Sequence, residues 1–390
     1  MTSTCTTVNP PIRVRAGSPA SLLAIIPHLL GFAPETSLVV IGTEPRSGAI
    51  KVTLRYDLPD PSDPELAAGI AGHATALLAA QQLTAAVAAG YGPDELVRPV
   101  ATALRDAMAP AGICLAECLR TDDGRYWSYT CSDLACCPDE GVPFDLAGNA
   151  EAVTLAGAGE RVLAGRAAVA ATIAPVTGQA ADRMREATQR AEQHVRQVLA
   201  ETRNPARTGA ARRMIASQGL AAVASMIATY RAGGSYATDN DIARLTVALT
   251  DLRVRDDAWA RMDPADRDAH LRLWTDVVRR AQPGYAAAPA SLLAFVAWQA
   301  GNGVLANIAL DRAVADCPGY SMATLLRQVT SAGAPPSMAR LPLTPDEVAD
   351  CYGQLDDDAC GDGEDEPGTG HQEEADQDEP ATVIATGTSA

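Results

Sequence analysis

Every stretch of this chain that reads as a β-strand lies before residue 145, and from Asn149 onward apolar residues recur only at helical spacing. Strands alternating with helices, then helices alone, predict an α/β domain followed by an all-α half. The expected boundaries are 12–148 for the α/β domain, with a mixed sheet that includes a hairpin, and 149–355 for the helical domain. Residues 1–11 are expected to be a flexible N-terminus and 356–390 a disordered acidic tail.

Within the first half, Ser18 can cap a helix that has Pro19 at its first position, where a missing N–H costs nothing, and Gly31 suits a left-handed stop. Leu38 to Ile41 is a short apolar run that fits a strand buried on both faces, and Ala49 to Pro59 reads as its neighbour. Helices are expected over Asp63 to Gln82 and Pro93 to Ala109, with a buried strand from Leu83 to Tyr91 between them. Asp123-Gly124 is a strong turn signal and predicts a hairpin. On its second strand Tyr126 and Ser128 face one side, Trp127 and Tyr129 the other.

The second half opens with a long amphipathic helix from Thr177 to Arg203, and helical patterns continue to about Ser331. They are broken at "RAGGSYATDN" and "AQPGYAAAP". Counting back from Pro318, residues Leu293, Ala294, Gly301, Ala306, Leu310 and Ala313 fall where the 34-residue tetratricopeptide repeat places its packing residues. Only one unit fits well, so the half is expected to be a tetratricopeptide-like bundle rather than an array.

Net charge divides unevenly. Residues 356–390 carry −12 of the total −17 and leave only −5 on the rest. A segment so acidic and without apolar periodicity cannot offset its ordering entropy, and it would be repelled by duplex nucleic acid; no nucleic-acid partner is expected. Lys51 is the single lysine, so no phosphate-loop lysine is present. No apolar run approaches a membrane span and no secretory leader is visible, which sets the expectation of a cytoplasmic protein without a membrane partner. Nine cysteines at irregular spacing fit a reducing compartment better than a disulfide framework.

The densest chemistry lies at "GRYWSYTCSDLACCP", where Arg125, Trp127, Tyr129, Cys131, Cys136 and Cys137 form the candidate functional or structural cluster. Three thiols lie within seven positions, yet zinc usually takes two short-spaced pairs, and adjacent Cys136 and Cys137 look like poor joint ligands. Cys114 and Cys118 are too far apart along a strand to form a clamp of their own. Structural thiols, a redox pair and a metal site all stay open. The expectation is that the three are reduced, metal-free and structural, with at least two packed under the hairpin beside Trp127 or Tyr129. Arg125 could hold an anion or pair with Asp122 or Asp123. His28 reads as a core histidine, and His73, His194 and His270 have no matching partners in sequence.

No dinucleotide fingerprint, nucleophile elbow or H-E-x-x-H motif is present. Three segments, "PHLLGFAPETSLVVIG", "DGRYWSYTCSDLACCPDEGVPF" and "LLAFVAWQAGNGVLANIALDRAVADCPGY", together resemble the actinobacterial family known as domain of unknown function 4192, over most of residues 12–330. Asp139 stands where that family's pattern has a second proline. The resemblance implies a two-part, bacterial, cytoplasmic protein and brings no activity, cofactor or metal with it. The expected function is a non-catalytic binding or scaffold protein whose helical half meets a protein partner. The alternatives are a small-molecule enzyme at the Trp127–Cys131 hairpin end, or a thiol-based redox or metal sensor.

Overall fold

The structure, a computed structural model, describes residues 16–146, 148–157, 162–201, 205–234, 237–334 and 344–361. Residues 1–11 and most of the acidic tail lie outside them.

The chain begins with helix α1 (Pro19–Leu30), where the Ser18 hydroxyl accepts the N–H of Ser21 and Gly31 closes the helix at φ 78°. Six strands follow, interleaved with two helices: β1 (Ser37–Thr43), β2 (Ile50–Asp57), α2 (Pro64–Ala80), β3 (Ala85–Tyr91), α3 (Asp94–Met108), β4 (Cys114–Asp122), β5 (Arg125–Ser128) and the short β6 (Val142–Pro143). They form one mixed sheet in the order β2-β1-β3-β4-β5-β6, in which only β3 and β4 run parallel. The α3 crossover between those two strands imposes the parallel pairing. At the tip of the β4–β5 hairpin Asp123 and Gly124 both have positive φ, 43° and 71°, as the turn signal requires.

β1 lies inside the sheet between β2 and β3, and both of its faces are covered. Leu38 and Val40 pack with α2 and α3, through Ala71, Leu78, Val100 and Leu104. Val39 and Ile41 pack with Leu23 and Ile26 of α1. This double burial explains why the β1 sequence runs apolar instead of alternating.

Among the described residues the elements after β6 are helical: α4 (Ala150–Gly157), α5 (Arg166–Thr172), α6 (Gln179–Ala200), α7 (Pro205–Arg231), α8 (Asp239–Ala248), α9 (Leu252–Ala260), a single 3-10 turn (Pro264–Asp266), α10 (Arg267–Arg280), α11 (Ala287–Gln299), α12 (Gly303–Asp316), α13 (Ser321–Ser331) and α14 (Pro345–Gly361). α11 is buried from Ala287 to Trp298 and serves as the central post. The Asp316 carboxylate at the end of α12 caps it, accepting N–H bonds from Ala286 and Ala287 at 2.8 and 2.9 Å. Leu293, Ala294, Ala306, Leu310 and Ala313 are all buried.

The change from strands to helices near residue 149 is not a break in the core. A single buried cluster joins Leu23, Ile41 and Leu119 to Met184, Trp274, Leu293 and Leu310. A bridge between Phe32 and Leu163, with Leu163 N–H donating to Gly31 at 2.9 Å, ties the halves a second time. α14 runs six residues into the acidic segment expected to begin at Asp356. It is anchored by buried Val348 and by the Tyr352 hydroxyl, which donates to Asp256 at 2.7 Å.

A cleft with three thiols and two arginines

The carboxyl end of β4, the start of α3, the end of β5 and the segment after it enclose a cleft of about 500 Å³. In open α/β sheets this edge is where ligands bind. Asp94, Arg98, Arg120, Trp127, Tyr129, Cys131 and Cys137 are on its walls. Of the six candidate residues in the sequence, Trp127, Tyr129, Cys131 and Cys137 therefore face one space, while Arg125, at the start of β5, and Cys136, in the loop, do not line it.

The hairpin register builds the first wall. Arg120 is directly opposite Trp127 across the Asp123-Gly124 turn. Its guanidinium carbon sits 3.6 Å from the indole centroid, and its side chain is only 11% exposed. Asp94 and Asp122 stand 3.7 and 3.6 Å from it, within ion-pair range but beyond a hydrogen bond. Its Nε is buried without a partner. Asp94 spends its oxygens elsewhere, on Arg98 at 2.6 and 2.9 Å and on the Tyr129 hydroxyl at 2.7 Å. Burial opposes ionisation of Asp94, yet these hydrogen bonds and the charges of Arg98 and Arg120 outweigh it and hold the carboxyl below its ordinary range. Burial and the bond to Asp94 push the Tyr129 phenol up.

The second wall is the thiol loop, and Arg125 and Trp127 fasten it. Arg125 donates to the carbonyls of Glu140 and Gly141 at 3.2 and 2.8 Å, and Trp127 Nε1 to the carbonyl of Asp139 at 2.9 Å. Gly141 has φ 77°, and a Cβ there would press into the indole of Trp127, so glycine is required twice over. At the other end, Cys131 N–H donates to Ser128 Oγ at 3.0 Å, and Ser128 Oγ donates to Glu117 on β4 at 2.7 Å.

Between these ends the chain makes one tight turn. The carbonyl of Asp133 accepts the N–H groups of both Cys136 and Cys137, at 3.0 and 2.7 Å, and its carboxylate accepts that of Ala135 at 2.9 Å. That turn gathers the sulfurs of Cys131, Cys136 and Cys137 to within 4.8 Å of one another. Partial burial, then hydrogen bonds with Cys131 and Cys136, push the Cys137 thiol up to about 12.

Three sequence-based expectations need correction. The three cysteines are not packed under the hairpin: Cys136 is exposed and the other two are half-buried, because the Asp133 turn stands clear of the sheet. The buried structural thiol of this region is Cys118, whose side chain joins the α2–α3 face of the sheet. Adjacent Cys136 and Cys137 do converge with Cys131. Arg125 is spent on the loop backbone, and the arginine with unspent donors is Arg120. Its alignment with Trp127 across a two-residue turn was the signal that could have pointed to it.

Among the described residues no helix is long and apolar enough to cross a membrane. The chain matches the family described as Domain of unknown function (DUF4192) over residues 19–337. No curated protein and no solved structure matches it.

Proposed function

The chain belongs to the DUF4192 family, and we propose that it is a non-catalytic binding protein whose α/β cleft takes a small anion, a carboxylate or a phosphate, on Arg120. The observation that carries this is the Arg120 guanidinium itself. It is nearly buried and set over the Trp127 ring, its Nε has no hydrogen-bond partner among the described residues, and Asp94 and Asp122 stand within ion-pair range at 3.7 and 3.6 Å without bonding it. A planar guanidinium held in place with an unbonded donor is preorganised for an oxyanion that can come closer than these two carboxylates do. The helical half is the platform for a protein partner in the same reading. What supports that is a cleft of about 870 Å³ between α6, α7 and α8, floored by Ala187, Ala222 and Met226. A tetratricopeptide-like α11–α12 pair and a reducing cytoplasm in an actinobacterial host complete the proposal.

Isothermal titration of the chelator-treated full chain with inorganic phosphate and with succinate tests the cleft. At least one of the two binds, and Arg120→Met weakens that binding about tenfold or more, the worth of one charge-assisted hydrogen bond. Arg185→Met, on α6, leaves it unchanged. Binding of neither anion, or equal binding by wild type and Arg120→Met, overturns the proposal.

A further inference from the structure

We propose that Cys131, Cys136 and Cys137 are a metal site: three thiolates that hold one zinc(II) ion and leave its fourth position open to the cleft. The inference stands on the sulfur geometry and not on the anion reading, since it concerns different atoms.

Zinc bound by three sulfurs at its usual bond length of about 2.3 Å requires sulfur-to-sulfur distances of about 3.8 Å in a tetrahedron. Here all three sulfurs already lie within 4.8 Å of one another, so closing on an ion takes less than one bond length of movement. Side-chain rotation in a half-exposed loop supplies such a movement without unpacking a core.

The backbone around the sulfurs is tied at both ends and in the middle. Glu117 and Ser128 hold the entry at Cys131, the Asp133 carbonyl holds Cys136 and Cys137, and Arg125 and Trp127 hold the exit from Glu140 to Gly141. Ties of this kind orient ligands before the ion arrives, which is the task of the groups behind a metal's own ligands. A loop needed only for packing would bury its thiols; this one turns them toward each other and toward solvent.

The donor set narrows the choice of ion. Thiolates are soft, so magnesium and calcium, which take oxygen, are excluded, while zinc is favoured. Among the described residues no fourth Cys, His, Asp or Glu joins the group. Closed structural zinc sites carry four protein ligands, whereas three ligands and a free vertex mark a site that receives a further ligand. Cys131 and Cys137 both line the cleft that Arg98 and Arg120 share, so that vertex is reached from the same space. Binding converts three thiols and one divalent ion into a complex of charge −1 and releases three protons to the buffer. No oxidant or reductant is needed.

The test uses the full chain, reduced, freed of metal with a chelator and titrated with zinc against a chromophoric competitor in the absence of added anions. The expected result is one zinc per chain, released protons that rise with the zinc bound, and loss of the ion in Cys131→Ser and Cys137→Ser. Cys317→Ser, at an exposed thiol outside the loop, keeps it. Because a loop variant can misfold, wild-type protein is also alkylated with iodoacetamide with and without zinc and mapped by mass spectrometry. Zinc should protect Cys131, Cys136 and Cys137 and leave Cys317 reactive. Zinc binding that survives in the triple serine variant, or alkylation of these three residues at the same rate with and without zinc, overturns the proposal. Failure of phosphate and succinate to bind leaves this result untouched, so the two readings fail separately.

Discussion

Arg120 lies over the indole of Trp127, its guanidinium carbon 3.6 Å from the ring centroid, and the same indole donates through Nε1 to the carbonyl of Asp139 in the thiol loop. One aromatic side chain thus positions the cation of the cleft on its face and the thiol-bearing segment on its edge. Cation–π contact and indole hydrogen bond use separate parts of the ring, so both are satisfied at once.

Gly141 is the cheapest place to loosen that arrangement. Gly141→Ala forces a side chain into φ 77° and against Trp127, and should cost about 1–3 kcal/mol of stability. It should also speed alkylation of the three loop cysteines in metal-free protein. Gly124→Asn is the control: its φ is 71°, but no atom lies within 4 Å of a Cβ placed there, and asparagine tolerates that backbone. Thermal denaturation and timed iodoacetamide labelling of both variants give the comparison. Equal behaviour would remove Trp127 as the fastener of the loop.

His270 sets a pH dependence in the helical half. It is 1% exposed, and burial followed by the Arg231 charge lowers its affinity for a proton despite Asp266, the Arg261 backbone and Asp263 nearby. The unfolded chain therefore takes up the proton first as pH falls below about 6.5, and stability drops from that point downward. Above it both states are neutral and this residue adds no slope. Denaturant midpoints measured from pH 8 to pH 5 should fall more steeply for wild type than for His270→Gln. Parallel curves would show that the imidazole is not buried neutral.

The shared core predicts that the strand-bearing and helical halves unfold together. Leu119 on β4 and Leu310 on α12 are both fully buried in one cluster, and truncating either to alanine should cost about 2–5 kcal/mol. Calorimetry should show one transition, displaced downward by either change. Two transitions, each moved by only one of the variants, would mean that the cluster joins two independent units.

Much of the fold was legible because it is fixed locally. Ser18, Pro19 and Gly31 bound α1, Asp123-Gly124 makes the hairpin, and Trp127 and Tyr129 share a strand face as period-two alternation requires. What escaped depends on contacts distant in sequence. No periodicity announces that Leu23 and Leu310 belong to one core. α14 was missed although Thr344 and Glu347 form a reciprocal cap at its start, a pattern that the sequence spells as "TPDE". The convergence of Cys136 and Cys137 escaped for a subtler reason: spacing rules for thiolates assume that neighbouring side chains diverge, and the Asp133 carbonyl, by accepting two successive N–H groups, bends the backbone so that these do not.

X-ray absorption at the zinc edge of the zinc-loaded full chain tests most directly whether the thiol loop is a metal site opening on the cleft. Three sulfur neighbours at about 2.3 Å and one oxygen or nitrogen neighbour at about 2.0 Å are predicted. A first shell without sulfur would contradict the metal site, and a shell of four sulfurs would contradict its open fourth position.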